Sequence, residues 1–335
     1  MVGQHEPTSL DYTSKYVRII EEENCTSFKL YKGKIQDRDL ALSLHPILGT
    51  SIRDQGYMKF TPLVPFESGT PYTLICGSSL IHFEVSRPIS YEPLKVNAIY
   101  PGTPEVPANI LKWYIEFSRA VNPVKIYDHI SFLDQDGKSI DRSILNISAG
   151  LLSPDGTLLT VWIEPGRQKQ LLGPNKRLGS VFEPNQQYTL LIDSTLKDNQ
   201  GYQIASDVQH LFTTTEADRT KPSLDDWLVD PVQAGSDEVL GIDTKEIIDY
   251  GSLIDAFHIK RDGQQVEGAI SYDPKSKRIL FSPAKKWQSG LYIIEVDHRL
   301  EDLAGNSLLH LFDRPLKGDR PQESRAKYTL SFMCK

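Results

Sequence analysis

Short stretches in which apolar and polar residues alternate recur along the chain. In LKWYIEF, the apolar residues Leu111, Trp113 and Ile115 fall on one face of an extended strand, and Lys112 and Tyr114 fall on the other. Two later segments, YTLLID and YIIEVD, alternate in the same way. A period of two residues is typical of a β-strand with one buried face. The pattern therefore predicts an all-β fold in which antiparallel sheets pack face to face as sandwiches.

One strand-and-turn unit occurs twice. Each copy is an alternating strand that begins at a tyrosine and is followed by a turn with the pattern Leu-x-Asp-x-x-Gly. The matching residues are Tyr188, Leu196, Asp198 and Gly201 in one copy and Tyr292, Leu300, Asp302 and Gly305 in the other. A partial copy without the turn lies upstream, where Phe66 and Tyr72 correspond to Trp287 and Tyr292. The distance along the chain from one copy to the next is too long for the units of a solenoid. It indicates tandem small domains.

The repeats and the proline-bearing joints divide the 335 residues into three predicted domains. We place the domains at residues 1–90, 91–216 and 217–335, and the second carries a basic insertion at residues 166–181. The 22 Gly and 21 Pro suit frequent turns between short strands. Helix signals are few. The best one, at residues 244–257, is interrupted by Gly251 and predicts one or two short turns that cross between sheets.

Charge and cysteine content narrow the class of protein further. A net charge of −7 disfavours a protein that binds the nucleic-acid backbone, and the sequence has no apolar run as long as a membrane span. Cys25, Cys76 and Cys334 are too few for a disulfide framework. Cys25 and Cys76 form either a bridge between sheets or two small buried apolar residues. We favour the unbridged interpretation, because Cys76 shares a strand face with Tyr72.

These motifs together resemble bacterial Ig-like domains of the S-layer-associated type. The residues that carry the resemblance are the strand from Trp113 to Phe117 with Ser118, the aromatic-to-tyrosine strand pair and the Leu-x-Asp-x-x-Gly turn. The second and third predicted domains match, whereas the first matches only from Phe60 to Leu74. The stretch WIEPGR…LLGPN also resembles a group of bacterial envelope proteins that combine such domains. The resemblance implies tandem antiparallel Ig-like β-sandwiches with a non-catalytic role.

The start of the chain and the resemblance bear on location. Met1 is followed by VGQHEPTSLDY, which has neither a basic n-region nor an apolar h-region. Because the implied domain type occurs mostly outside the cytoplasm, we expect an extracellular or cell-envelope protein whose leader is absent from this numbering. A cytoplasmic location is the alternative.

The sequence carries no recognisable catalytic constellation. It has no Gly-x-Ser-x-Gly, His-Glu-x-x-His, Walker or Gly-x-Gly-x-x-Gly motif, and its eight histidines show no spacing that prepares a metal site. We therefore expect no catalytic residue and no cofactor. Asp198 and Asp302 recur at equivalent places and are weak candidates for a calcium site at a domain end. The favoured alternative is that each side chain fixes its own turn by bonding to the backbone.

The basic insertion is the first candidate ligand-binding segment. Its cations, Arg167, Lys169, Lys176 and Arg177, stand out in an acidic protein and could bind an acidic ligand, a glycan carboxylate or a neighbouring domain. The alternative is a loop that packs on the adjoining domain and sets the angle between domains. Leu171 and Leu172 lie in the same loop, and exposing them to solvent would be unfavourable. They therefore favour packing of the loop on the adjoining domain.

Two tryptophans are further candidates. Trp113 and Trp287 fall at predicted core positions, but Trp162 and Trp227 could form a sugar-stacking surface if they face solvent. The sequence thus predicts a non-enzymatic structural or interaction module with a protein or glycan partner at the cell surface. A carbohydrate-binding accessory protein is the second hypothesis, and a hydrolase with a site at a domain junction is the third.

Overall fold

The structure is a computed structural model of the chain. It describes residues 10–20, 25, 27–54, 56–77, 79–86, 92–147, 150–170, 172–313 and 327–335. The described strands fall into three pairs of sheets, and each pair encloses its own apolar cluster. The predicted all-β fold of tandem Ig-like sandwiches is confirmed.

The first sandwich packs a four-stranded sheet against a three-stranded one. Its strands are β1 (Leu10–Tyr12), β2 (Val17–Ile20), β3 (Phe28–Lys32), β4 (Gly49–Asp54), β5 (Tyr57–Pro62), β6 (Pro71–Cys76) and β7 (Ser79–Glu84). The sheet orders are β1-β2-β5-β4 and β3-β6-β7. A short helix, α1 (Arg38–Leu42), is capped by Asp37 and places Ala41 in a small apolar cluster with Tyr31 and Ile35.

The second sandwich has two four-stranded sheets. Its strands are β8 (Val96–Tyr100), β9 (Glu105–Pro107), β10 (Lys112–Phe117), β11 (Ile130–Leu133), β12 (Leu151–Leu152), β13 (Leu158–Trp162), β14 (Gln187–Ile192) and β15 (Val208–Thr215). The sheet orders are β12-β13-β10-β8 and β11-β14-β15-β9. The β9–β15 pair is parallel, which the alternation pattern did not predict, and the other strand pairs in these two sheets are antiparallel. A 3-10 turn spans Ile126–His129, and two short helices, α2 (Pro165–Gln168) and α3 (Gly173–Leu178), lie in the insertion.

The third sandwich repeats the four-plus-four arrangement. Its strands are β16 (Leu228–Val229), β17 (Leu240–Asp243), β18 (Phe257–Arg261), β19 (Gln264–Gln265), β20 (Gly268–Asp273), β21 (Arg278–Pro283), β22 (Gly290–Asp297) and β23 (Lys327–Cys334). The sheet orders are β16-β17-β21-β20 and β19-β18-β22-β23. The helix signal near Gly251 corresponds to α4 (Tyr250–Ala256), which Asp249 caps by accepting a hydrogen bond from the Ser252 amide.

The duplicated tyrosine lies in the core of every sandwich. Each tyrosine stands directly opposite a phenylalanine on the next strand and contacts a third aromatic ring. The three trios are Phe66, Tyr72 and Phe83; Phe182, Tyr188 and Phe212; and Trp287, Tyr292 and Phe332. Each tyrosine hydroxyl accepts a backbone N–H from four or five residues upstream, at 2.7 to 3.0 Å. This bond satisfies the polar end of a buried ring and ties each loop to its own core.

Cys25 and Cys76 form a disulfide, which corrects the unbridged interpretation. The two Cα atoms lie 5.2 Å apart, within the range that a disulfide spans. Both residues belong to the apolar cluster of the first sandwich, so the burial argument was right and the inference drawn from it was wrong. Cys334 is free and buried.

Candidate functional site

The insertion at residues 166–181 folds as two short helices. Glu164 precedes α2 and accepts a hydrogen bond from the Gly166 amide at 3.1 Å, and α2 then begins at Pro165. A proline also occupies the first turn of α3, where its missing N–H costs no helical bond. Gly179 ends α3 with a φ of 73°, a left-handed conformation that favours glycine.

Arg167 is buried inside this insertion, with only 6% of its surface exposed. Its guanidinium donates to four backbone carbonyls, which belong to Asp141, Leu178, Gly179 and Ser180. Burial lowers the pKa of Arg167, although nearby carboxylates oppose that effect. The side chain therefore organises the loop from within. The sequence predicts an exposed cation here, and that prediction is wrong for Arg167.

The next residues of the insertion contact the third sandwich. The Lys169 ammonium lies 4.4 Å from the centre of the Phe312 ring, and the Gln170 amide donates to a carboxylate oxygen of Asp313 at 3.1 Å. Leu172 is half-buried, and Leu171 lies outside the described residues. This part of the insertion packs on the adjoining domain.

The last cations of the insertion face a cleft. Lys176 and Arg177 are exposed, and Arg177 lines a cleft of about 610 Å³ together with Arg142, Glu164 and Leu178. The opposite wall is residues 139–146, which run from β11 to the edge of β13. The cleft thus opens where the two sheets of the second sandwich part.

The two tryptophan candidates differ in their exposure to solvent. Trp227 is 5% exposed and lies in the core of the third sandwich. Trp162 is half-buried, and one face of its ring is covered by the Lys112 ammonium at 5.1 Å. The carbohydrate-binding hypothesis requires a tryptophan that faces solvent. Trp227 does not meet this requirement, whereas Trp162 lines a surface cleft and stays a candidate.

Asp198 and Asp302 have matching turn geometry. In each, Oδ1 accepts the backbone N–H groups two and four residues ahead, at 2.8 to 2.9 Å. Oδ2 of Asp198 accepts from Arg119 at 2.5 Å, whereas Oδ2 of Asp302 accepts from the Asn306 amide group at 2.9 Å. Among the described residues, no group of three or more His, Cys, Asp or Glu side chains is placed to hold a metal ion. The geometry is that of a turn fixed by its own aspartate.

Asp302 bonds to an asparagine where Asp198 bonds to an arginine, and this difference has an electrostatic consequence. Burial raises the pKa of Asp302 to about 7, because its three hydrogen bonds only partly offset desolvation and Asp218 adds a like charge. Burial also raises the pKa of Glu301, and Lys112 opposes that shift. The turn of the third sandwich therefore takes up a proton more readily than an ordinary carboxylate.

Both aspartate turns also touch the preceding sandwich. In the second sandwich, the Gln200 carbonyl accepts from the Ser68 amide, and Gly201 lies against Glu67 of the first sandwich. In the third, the Leu303 carbonyl accepts from the Leu111 amide at 2.8 Å. Each turn is thus a docking element between neighbouring domains as well as a turn.

Glycine is required at these turns by close packing. Gly305 has a φ of 76°, and a Cβ built there would lie 2.5 Å from Cδ2 of Leu111. A side chain at this position would have to push the Leu111 side chain aside, and its backbone would be strained at this positive φ. The glycine of the repeat therefore serves the turn and the joint together.

The joint between the second and third sandwiches contains a buried ionic cluster. Lys112 projects from β10 and donates to Asp249 at 3.3 Å and to Glu301 at 2.5 Å, while its side chain is 11% exposed. The Tyr114 hydroxyl, on the same strand face, lies 2.9 and 3.0 Å from the two Asp249 oxygens. Burial lowers the pKa of Lys112, but the carboxylates outweigh it, and the net direction is upward.

Aromatic packing completes this joint. The rings of Tyr100 and Tyr250 stack with centroids 4.0 Å apart, and Tyr114 meets Tyr250 edge-on at 5.7 Å. The sequence had assigned Lys112 and Tyr114 to a polar strand face, and that face is buried because the third domain covers it. A tyrosine beside a lysine on a nominally exposed face was the available signal.

Comparisons with known proteins give likeness of fold only. No protein-family model matches the chain, and no curated protein sequence is similar to it. Solved structures similar to it include native alpha-2-macroglobulin from Escherichia coli spanning domains MG0-NIE-MG1, at 12% identity over 72% of each chain with a TM-score of 0.25. The N-terminal part of the bacterial S-layer protein SbsC is 12% identical over 73% of this chain and 44% of that one, with a TM-score of 0.26. The FN1-FN3 domains of chicken CNTN1 are 10% identical over 98% of both chains, with a TM-score of 0.21.

Such values carry no functional argument. The structural neighbours include tandem Ig-like and FN3-like domain proteins, S-layer proteins among them. The assignment of tandem Ig-like sandwiches rests on the sheet orders and the three cores described above. No helix in the described residues is long and apolar enough to cross a bilayer.

Proposed function

We propose that this chain is a non-enzymatic module of the cell envelope or of secreted proteins, which holds Ig-like domains in fixed orientation and presents a binding surface. The proposed domains are residues 1–90, 91–216 and 217–335. The observation that carries the proposal is the buried cluster of Lys112, Asp249 and Glu301 at the second joint.

A buried charge cluster supports fixed geometry for an energetic reason. Separating the two domains would leave three charges without their partners, and swivelling would break distances that hydrogen bonds require. Inter-domain contacts without such a cluster leave relative motion as the ordinary expectation. The aromatic stack at Tyr100 and Tyr250 adds a second, independent constraint.

The disulfide supports a location outside the cytoplasm. Disulfides persist in oxidising compartments and are rare where thiols are kept reduced. Cys25 and Cys76 close a bond within the first sandwich. Alkylation of intact cells followed by mass spectrometry tests this part, and free thiols at both positions would contradict it.

A distance measurement between spin labels tests the fixed orientation. Gln135→Cys and Lys275→Cys place labels on exposed turns of the second and third sandwiches, and the buried Cys334 leaves labelling to the two new thiols. We expect one narrow distance distribution. Lys112→Glu should broaden it by repelling Asp249 and Glu301, whereas Lys95→Glu, outside the joint, should not. A broad distribution in the otherwise unaltered protein would refute the proposal.

A further inference from the structure

We propose that the cleft between residues 139–146 and α3 binds an acidic peptide segment through its carboxylate groups. The inference rests on the proposed role as an interaction module and names the ligand class of one surface. It depends on three arginines and on the apolar walls of the cleft. It also depends on the absence of an exposed aromatic ring among the described residues that line the cleft.

Arg167 lies behind the cleft with a charge that no described carboxylate pairs directly. Its Nε and two Nη groups carry five N–H donors, and four of them go to backbone carbonyls. The remaining N–H, on Nη1, has no acceptor among the described residues. Asp141, Glu164 and Glu183 lie close enough to act on this charge, but none of them forms a salt bridge with it, so an N–H donor remains for an incoming anion.

Two exposed arginines stand on either side of the cleft. Arg142 makes no hydrogen bond or ion pair with the described part of the chain, and Arg177 makes only a bond from Nε to the Gly173 carbonyl at 3.3 Å. Their free guanidinium edges suit two-point recognition of a carboxylate. Asp141 and Glu164 also line the cleft, so three guanidiniums face two carboxylates and the excess positive charge is small.

The rest of the lining favours a peptide over a sugar. Ile140, Ile144 and Leu178 supply apolar wall, and Leu178 is 44% exposed. Tyr127 is the aromatic residue of the lining, and it is 6% exposed with its hydroxyl bonded to the Thr160 carbonyl. A sugar ring would find no open aromatic face, whereas aliphatic peptide side chains would find apolar contact beside the cations.

Binding of a defined peptide tests the proposal. The probe is a fluorescein-labelled decapeptide of alternating Glu and Leu, and its control replaces each Glu with Gln. We expect the acidic peptide to bind, the Gln peptide not to bind, and binding to weaken as salt is raised. Arg142→Ala with Arg177→Ala should weaken binding about tenfold or more. Lys221→Ala with Lys275→Ala, a matched pair of cations away from the cleft, should leave it unchanged.

Several outcomes would overturn the proposal. They are equal binding of the Gln peptide, binding insensitive to the two arginines, or no binding at millimolar peptide. Binding of polygalacturonate in place of the peptide would instead assign an acidic polysaccharide. Circular dichroism of both double variants checks that each is folded. The spin-label distances do not depend on the cleft, so a failed peptide experiment with a narrow distribution would leave the proposed fixed orientation standing.

Discussion

Lys112 and Glu301 meet across the joint between the second and third sandwiches, with the lysine ammonium 2.5 Å from a glutamate oxygen. The contact joins β10, whose sequence alternates clearly, to the Leu-x-Asp-x-x-Gly turn of the third sandwich. It places the turn of the duplicated unit at the boundary between two domains.

Lys112→Met should destabilise the joint strongly. It leaves Asp249 and Glu301 in a largely buried site without their cation, and the loss of one partner from a buried pair costs about 3–5 kcal/mol. The effect is measured by unfolding the protein in urea and monitoring hydrogen exchange in peptides from each domain. Lys95→Met is the control, because Lys95 and Glu92 form an exposed pair at 3.7 Å worth about 1 kcal/mol or less. Equal effects of the two substitutions would contradict the ionic role of the joint.

Tyr292→Phe should lower the stability of the third sandwich by about 1–3 kcal/mol. The substitution keeps the buried ring but leaves the Gln288 amide without its acceptor. Tyr188→Phe should have a similar effect on the second sandwich, because Glu183 donates to it in the same way. Tyr57→Phe, at a 37% exposed ring, is the control and should change little. Urea midpoints read domain by domain compare the three variants, and a silent Tyr292→Phe would show that the bond contributes nothing.

Asp302 should make the third sandwich less stable as pH rises toward neutrality. Its pKa is about 7 in the folded chain and about 3.9 in the unfolded chain, so the folded state holds the extra proton between these values. The stabilising contribution is complete below pH of about 4 and is lost as pH rises through about 7. Asp302→Asn should remove this component from a plot of melting temperature against pH.

The equivalent substitution in the second sandwich is the control for that experiment. Asp198→Asn leaves Arg119 without its carboxylate and should destabilise at neutral pH without flattening the profile of the third sandwich. A pH profile that is the same with and without Asp302 would contradict the assignment of the proton to this residue.

Removal of the disulfide should affect the first sandwich alone. Cys25 and Cys76 are 51 residues apart, and closing a loop of that length restricts the unfolded chain by about 4 kcal/mol. Cys25→Ser with Cys76→Ser should therefore make residues 10–84 exchange hydrogen faster while the other two cores keep their protection. Unchanged protection in the first sandwich would show that the bridge adds no stability there.

The cores were predictable because alternation is a local signal. Tyr188 and Tyr292 occupy buried faces as expected, and the match of Phe66 with Trp287 places equivalent rings in two sandwiches. The cross-strand partners Phe83, Phe212 and Phe332 escaped notice. They lie in strands whose surrounding sequences differ, so only the register of the sheet brings them together.

The joints and the cleft were less predictable, because they depend on what packs against a surface. Alternation assigns Tyr114 to a polar face and cannot show that another domain covers it. The basic composition of the insertion suggested surface charge at Arg167, but backbone carbonyls surround that side chain, and they are invisible to composition. The prediction that Cys25 and Cys76 are unbridged was wrong for a similar reason, because a spacing along the chain does not give a distance in space.

The double duty of the aspartate turns has a consequence for proteolysis. A cut within residues 302–305 would release the contact with Leu111 but leave the rings of Tyr292 and Phe332 stacked, because β22 and β23 lie away from the scission. The nicked chain would keep its folded sandwiches, and the alignment of the second and third would then depend on the Lys112–Asp249 pair and on the Tyr100–Tyr250 stack.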